Sequence, residues 1–151
     1  MIRSISRSTF RGVADAIDLD AGKRWIRGPL VFTETDRPLI YASRPDGHMG
    51  WFPVEAATAG QCTGYADENG TLIFEGDVVE DSSRRRYAVV FTDGAFRIVT
   101  AREKAFIDKG LHPYDNDYKY PTVLAEVMDG TPLKVVGNVY DDPRLLDGGI
   151  L

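Results

Sequence analysis

Nucleophilic or metal-assisted chemistry needs convergent thiol, imidazole or carboxylate groups, and this sequence has few of the first two. It contains one cysteine, Cys62, and two histidines, His48 and His112. Cys62 with either imidazole as its base would form a thiol nucleophile, but no neighbouring residue is of the kind that stabilises a thiolate. The histidines lack the His-x-x-x-His spacing of a metal-binding helix. We therefore expect Cys62 to be a small packed residue and both histidines to be solvated loop residues.

Carboxylates provide two further candidates. Glu75 and Asp77 are two residues apart, so on a strand they would share a face and could serve acid–base catalysis or hold a divalent cation. We favour a structural role, in which Asp77 accepts backbone N–H groups near a bend. The run at residues 115–117 resembles part of a calcium loop but lacks the required glycine and terminal acid. The sequence thus predicts no catalytic residue, no metal site and no cofactor, and a protein that is not an enzyme.

The single basic run is Arg84-Arg85-Arg86. Together with Arg97 and Arg102 it would form a strip for nucleic acid or for an acidic protein. The net charge of −5 argues modestly against general nucleic-acid binding, because phosphate contacts dominate that affinity. The alternative is a solvated hairpin whose charges discourage edge-to-edge strand pairing. We favour the solvated hairpin and keep nucleic-acid binding as the alternative function.

The elements that would position these residues are short strands. Asn69-Gly70 predicts a type I′ hairpin turn, because both residues tolerate the positive φ that such a turn needs. A glycine inside a strand pattern marks a bulge or bend, so residues 72–80 are predicted to form one strand bent at Gly76. Short turns join that strand to the next two, which predicts an antiparallel meander over residues 72–100.

The rest of the chain continues this pattern of short elements. Extended segments are predicted at residues 24–33, 39–42 and 51–54, and Gly28-Pro29 interrupts the first because proline lacks a ladder donor. A helix of about two turns follows the meander. That helix is predicted at residues 101–107. It is followed by a strand or helical turn at 123–128, a strand at 133–140 and a capped turn at 142–146. Closely spaced short strands are typical of a small sheet or barrel.

Four motifs resemble the YopX family of bacteriophage and prophage proteins. They are Gly60-Gln61-Cys62-Thr63-Gly64, Glu68-Asn69-Gly70, Phe74-Glu75-Gly76-Asp77-Val78-Val79 and Gly137-Asn138-Val139-Tyr140-Asp141-Asp142-Pro143. The start of the chain is similar as well, at Phe10-Arg11-Gly12 and over residues 25–31. Cys62 departs from the pattern, because family members often have an aromatic residue there. The resemblance implies a phage accessory protein, and it brings no known activity with it.

The resemblance also gives a set of residues to which we assign structural roles. They are Gly64, Asn69, Gly70, Glu75, Gly76, Asp77, Gly137, Asn138, Tyr140 and Pro143.

Composition sets broad limits on the class of protein. The 151 residues are enough for one domain or two small ones, and 43% hydrophobic with 27% charged residues is ordinary for a globular protein. No apolar run approaches the roughly 20 residues that span a bilayer, and the first eight residues lack a signal-peptide core. We therefore expect no membrane association and a location in the cytoplasm of a host bacterium.

These observations combine into one prediction of fold and function. The fold is mainly β (β-rich α+β), with a small β-sheet subdomain at residues 1–60 and an SH3-like bent barrel with a short helix at 61–151. The function is a non-catalytic binding or assembly module that pairs with a second copy or with a phage or host protein. Open sheet edges and the aromatic residues Trp25, Trp51 and Tyr140 motivate it, although we expect most of these side chains in the core.

Overall fold

Antiparallel strands dominate the structure, a computed structural model that describes residues 9–15, 25–44, 46–111 and 121–148. The strands are β1 (Phe10–Val13), β2 (Trp25–Gly28), β3 (Leu30–Phe32), β4 (Pro38–Ser43), β5 (Met49–Pro53), β6 (Gly60–Ala66), β7 (Leu72–Phe74), β8 (Asp77–Glu80), β9 (Arg86–Thr92), β10 (Ala95–Val99) and β11 (Lys134–Asn138). Two helices, α1 (Ala101–Asp108) and α2 (Leu124–Val127), and 3-10 turns at Ala56–Thr58 and Leu145–Gly148 join them. The prediction of a mainly β protein is confirmed.

The chain divides into two compact units, Met1–Gly64 and Tyr65–Leu151. Strand β6 runs across this division, and the predicted domain boundary after residue 60 falls at its first residue. Each hydrophobic core is built from side chains of a single unit. Within the described ranges, no helix combines the length and the apolar character needed to cross a membrane.

The first unit contains two antiparallel arrangements of strands. Strand β1 pairs with β2 and with β6, and β3, β4 and β5 form a three-stranded sheet in that order. Gly28-Pro29 separates β2 from β3, as the sequence predicted, and the Pro29 carbonyl accepts the Tyr41 N–H at 3.0 Å. A Cβ on Gly28 would lie 1.9 Å from the Tyr41 carbonyl oxygen, so only glycine fits. The core side chains are Ala14, Ile26, Ile40, Ala42 and Val54.

The second unit is built around a four-stranded sheet in the order β10-β9-β8-β11. Adjacent apolar residues such as Val78 and Val79 are both fully buried, as in a strand covered on both faces. Val79 packs in a cluster with Ile73 and Leu124, whereas Val78 packs in a second cluster with Leu146. The described sheets do not close on themselves, so the predicted SH3-like barrel is not confirmed.

The barrel was predicted from a bent strand over residues 72–80, which the structure divides into two strands. β7 ends at Phe74 and β8 begins at Asp77, with a turn between them. Gly76 in that turn has a φ of +93°, and its N–H donates to the Val89 carbonyl at 2.8 Å. The chain therefore turns sharply at a positive φ at Gly76 and does not continue as one strand around a barrel corner.

The hairpin loop at Asn69-Gly70 also differs from the prediction. Only Gly70 has a positive φ, of +82°, and its N–H donates to the Asp67 carbonyl at 3.0 Å. The loop is thus a β-turn that ends in a left-handed glycine, and the type I′ prediction was wrong. The reason is the Asp67 carboxylate, whose Oδ1 accepts the N–H groups of Asn69 and Thr71 and keeps Asn69 at a negative φ.

The helix predicted at residues 101–107 is confirmed as α1. It begins with a capping box, in which the Thr100 hydroxyl accepts the Glu103 N–H and the Glu103 carboxylate accepts the Thr100 N–H. Of the two alternatives at residues 123–128, the helical turn is correct and is α2. The predicted strand at 133–140 is shorter, as β11.

Candidate functional site

The candidate nucleophile and bases lie in different environments. Cys62 is fully buried in β6, whereas the His48 side chain is 85% exposed, with Nδ1 3.4 Å from Asp46. His112 and the acids at residues 115–117 lie outside the described residues. In the part of the chain that the structure describes, no group of three or more His, Cys, Asp and Glu could hold a metal ion. The described residues therefore bring none of these candidates together.

Asp77 has the structural role that the sequence favoured. Its side chain is buried, and Oδ2 accepts the Phe74 N–H at 2.8 Å. This bond closes the turn that contains Glu75. The Glu75 side chain is partly exposed, whereas the Asp77 side chain is buried. The alternative, a carboxylate pair on one outward face, is wrong because the turn places the two side chains in different environments.

Several residues of the resemblance motifs meet at the same corner of the second unit. Asp77 lies opposite Asn138 in the β8–β11 pairing, and a Cβ on Gly76 would lie 2.6 Å from the Tyr140 ring. Asn138 Oδ1 accepts the N–H groups of Tyr140 and Asp141 at 3.0 and 2.9 Å. These contacts hold the chain where it leaves β11, which gives this part of the motif set a structural role.

The segment after this corner uses two further motif residues. A Cβ on Gly137 would lie 2.5 Å from Leu145 Cδ2, so glycine lets the 3-10 turn pack against β11. The Asp142 carboxylate accepts the Arg144 N–H at 3.1 Å. Asp142 thus caps the predicted turn at residues 142–146, although the 3-10 helix begins only at Leu145, after Pro143.

A cavity of about 340 Å³ lies beside the 67–71 loop of the second unit. Asp67, Glu68 and Asp129 give it an acidic rim. The other lining residues are Ala66, Met128, Gly130, Thr131, Pro132 and Leu133. Its chemistry depends on whether the buried Asp67 carboxylate is available to a ligand.

Both oxygens of the Asp67 carboxylate accept hydrogen bonds from backbone N–H groups. Oδ1 accepts the N–H groups of Asn69 and Thr71, each at 2.9 Å, and Oδ2 accepts the Val135 N–H at 2.9 Å. Burial alone would raise the pKa of Asp67, but these hydrogen bonds and the Lys134 charge outweigh it and hold the pKa below its usual value. Such a carboxylate is a poor general base, so the cavity offers no catalytic group through Asp67. The role of Asp67 was not predicted, although an aspartate two residues before Asn69-Gly70 is a signal for a side chain that bonds to the turn backbone.

The predicted basic strip does not form a set of five available cations. Arg86 donates to Glu80 at 3.0 Å and to the Leu145 carbonyl at 2.9 Å. Arg97 donates to the carbonyls of Thr92 and Pro121. Both guanidinium groups therefore support the fold of the second unit.

The remaining members of the strip are exposed, at Arg84, Arg85 and Arg102. Arg84 has a φ of +63° in a turn closed by Asp81, which accepts the N–H groups of Ser83 and Arg85. This turn repeats the hydrogen bonds of the Asp67 loop, with arginine where that loop has Gly70. A left-handed arginine costs about 1 kcal/mol or more relative to glycine.

The outer face of the β3–β4–β5 sheet carries three of the large hydrophobic side chains that the first unit exposes, Val31, Met49 and Trp51. Strand register places Tyr41 opposite Trp51 and Val31 opposite Leu39. Residues one position away, such as Ile40, point into the core. We define the outer face by the side chains of Val31, Leu39, Tyr41, Ser43, Met49, Trp51 and Pro53.

An aromatic pair lies at the middle of this outer face. The Tyr41 and Trp51 ring centroids are 4.9 Å apart and the ring planes are tilted by 45°. Trp51 is 46% exposed, so it is an exception to the expectation that most of these aromatic side chains lie in the core. Antiparallel strands with one solvated face usually alternate apolar and polar residues, whereas Leu39, Ile40 and Tyr41 are successive and apolar or aromatic. This lack of alternation in the sequence could have predicted that the sheet has a second apolar face.

A known protein family matches most of the chain. A family model described as "YopX protein" matches residues 33–147, which covers most of the chain, including the Tyr41–Trp51 pair and all four motifs. Phe10-Arg11-Gly12 and residues 25–31, which also resembled the family, lie before the matched range. No curated protein matches the chain.

Proposed function

We propose that this chain, which belongs to the YopX family, is a non-catalytic binding or assembly module that binds a protein ligand through the outer face of the β3–β4–β5 sheet. The proposal includes the phage origin implied by the resemblance and a location in the cytoplasm of the host bacterium. The ligand is then a protein of the phage or of the host.

The uncharged, aromatic outer face is the observation that carries this proposal. The largest exposed apolar patch of a monomeric protein is often a functional site. Tyr and Trp are also the residue types that contribute most to binding energy at interfaces. Here the two rings are in contact with each other and Trp51 is 46% exposed. A catalytic role finds less support, because Asp67 and Asp77 accept backbone N–H groups.

A peptide-display selection tests the proposal. A random library is selected on the full chain and counter-selected on the Trp51→Ala variant. We expect enriched peptides that bind the wild type at least tenfold more tightly than the variant, because truncation removes the central contact. Phe91→Ala is the matched control. Phe91 is 53% exposed and its ring centroid lies 5.1 Å from that of Phe96, so it is also an exposed member of an aromatic pair, but it lies in the second unit. Enrichment independent of Trp51, or no enrichment, would contradict the proposal.

Self-association is the other partner interaction that the sequence favoured. Sedimentation velocity of the wild type and of Trp51→Ala at several concentrations tests whether the outer face contributes to it. If the face joins two copies, the variant dissociates at a concentration where the wild type does not.

Nucleic-acid binding is a second candidate, and the conformation of Arg84 favours it. Arg84 has the left-handed backbone conformation that Gly70 has in the matching loop, and backbone strain of this kind is more often found at functional sites. Titration of labelled DNA and RNA at low salt tests it. Binding that is insensitive to salt and to Arg84→Gly would exclude this candidate.

A further inference from the structure

The geometry of the outer face points to a specific class of ligand. We propose that its ligand is a proline-rich segment in the polyproline II conformation, with a proline ring packed against the exposed side of the Tyr41–Trp51 pair. This inference rests on the proposed function, since it identifies the ligand of the same face.

The arrangement of the two rings supports this ligand. Their centroids lie 4.9 Å apart at a tilt of 45°, so the rings contact each other at an angle rather than as a parallel stack. Aromatic-lined grooves recognise proline-rich segments in several unrelated binding modules. A proline ring is flat, apolar and already fixed in φ, so it fills such a groove with little loss of conformational entropy.

The polar atoms of the pair fit the same ligand. Neither the Tyr41 hydroxyl nor the Trp51 indole N–H makes a hydrogen bond to the part of the chain that the structure describes. Polyproline II has no internal hydrogen bonds, so all of its carbonyl groups need external donors. The hydroxyl and the indole N–H supply donors beside the groove.

The chemistry around the pair excludes a charged ligand at the point of contact. Val31, Leu39, Met49 and Pro53 surround the two rings on the outer face, and Ser43 is its one other polar member. None of these side chains carries a charge, so a phosphorylated or acidic segment would lose hydration without gaining an ion pair.

The size of the face decides between a peptide and a second copy of the chain. Three strands of up to six residues cover an area on the order of 250 Å², at about 4.8 Å between strands and 3.3 Å per residue. A stable protein pair buries about 800 Å² on each partner. A polyproline II segment of six residues is about 19 Å long, which matches the length of β4. The face therefore fits a short extended segment better than a second subunit.

NMR titration of the full chain with acetylated decaproline tests the inference. The protein has two tryptophans, so its spectrum contains two indole N–H signals, which the Trp51→Phe variant assigns. We expect decaproline to shift the Trp51 signal saturably and to leave the Trp25 signal in place, because Trp25 lies under the Arg11 guanidinium at 4.8 Å. Tyr41→Ala and Trp51→Ala should each weaken binding at least tenfold, while Phe91→Ala should stay within twofold.

A glycine–serine peptide of equal length is the ligand control. The inference is overturned if that peptide shifts the Trp51 signal equally, if millimolar decaproline causes no saturable shift, or if Tyr41→Ala and Trp51→Ala bind decaproline as the wild type does. The display selection separates this outcome from failure of the proposed function. Peptides that depend on Trp51 but lack proline would overturn the ligand class alone, whereas the absence of any Trp51-dependent peptide would overturn both.

Discussion

At the scale of single residues, aspartate carboxylates organise turns in this protein. Asp67 and Asp81 begin two loops with the same hydrogen bonds, each accepting the N–H groups two and four residues later. They differ at the second carboxylate oxygen. That of Asp67 accepts the Val135 N–H at the start of β11, whereas that of Asp81 accepts the Tyr87 hydroxyl at 3.3 Å. Asp67 thus connects its loop to a distant strand, and Asp81 acts within its own hairpin.

We expect Asp67→Asn to destabilise the protein by about 1–3 kcal/mol. The asparagine oxygen can still accept the loop N–H groups, but its NH₂ group would face the Val135 N–H and leave that donor unsatisfied. Asp81→Asn is the matched control, because its NH₂ group can donate to the Tyr87 oxygen, and we expect a smaller loss. Chemical denaturation of both variants measures the difference. Equal losses would show that the Val135 contact is unimportant.

The same carboxylate makes stability depend on pH. The pKa of Asp67 is lowered in the folded protein, so its contribution is present above the ordinary carboxyl pKa and is lost as the pH falls through the folded value. Asp67→Asn should therefore flatten the fall in unfolding free energy in the acid range below about pH 4. Denaturation at a series of pH values measures this. A variant with the same acid dependence as the wild type would assign that dependence to other carboxylates.

At the scale of elements, the sequence predicted the positions of most strands but not the path between them. The turn at Gly76 was recognised as a bend, yet local pattern does not tell a bend within a strand from a turn between two strands. What distinguishes them is long-range: Val139 donates to the Gly76 carbonyl at 3.0 Å, and the Tyr140 ring packs on Gly76. Likewise, the Tyr41–Trp51 pair depends on the β4–β5 register, which neither strand specifies alone.

Gly76→Ala should destabilise the second unit more than Gly94→Ala. Both glycines have a positive φ, of +93° and +78°, so alanine costs about 1 kcal/mol of backbone strain at either site. Only at Gly76 would the new Cβ meet another group, Tyr140 Cε2 at 2.6 Å, while Gly94 has open space. Thermal or chemical unfolding of the two variants compares them. Equal destabilisation would mean that the Tyr140 ring moves away without cost.

At the scale of the whole molecule, the two units differ in how their sheets are covered. The β10-β9-β8-β11 sheet has a buried cluster on each face, so both alternating sets of side chains are used for stability. The β3–β4–β5 sheet buries one set in the core and exposes an aromatic pair on the other. We therefore assign stability chiefly to the second unit and binding to the first. The length of the chain allowed two small domains, but only the strand register shows which of the two units leaves an apolar sheet face exposed.

The predicted domain boundary leads to a test of this division of roles. Both clusters of the second unit are formed wholly by residues after Gly64, so we expect a fragment of residues 61–151 to fold without the preceding chain. Its amide spectrum should be dispersed and its denaturant unfolding cooperative, because every buried side chain of both clusters is retained. The fragment lacks Tyr41 and Trp51, and it should not bind decaproline. A fragment without a cooperative transition would show that the second unit depends on the first, and a folded fragment that binds decaproline would place the binding site outside the β3–β4–β5 sheet.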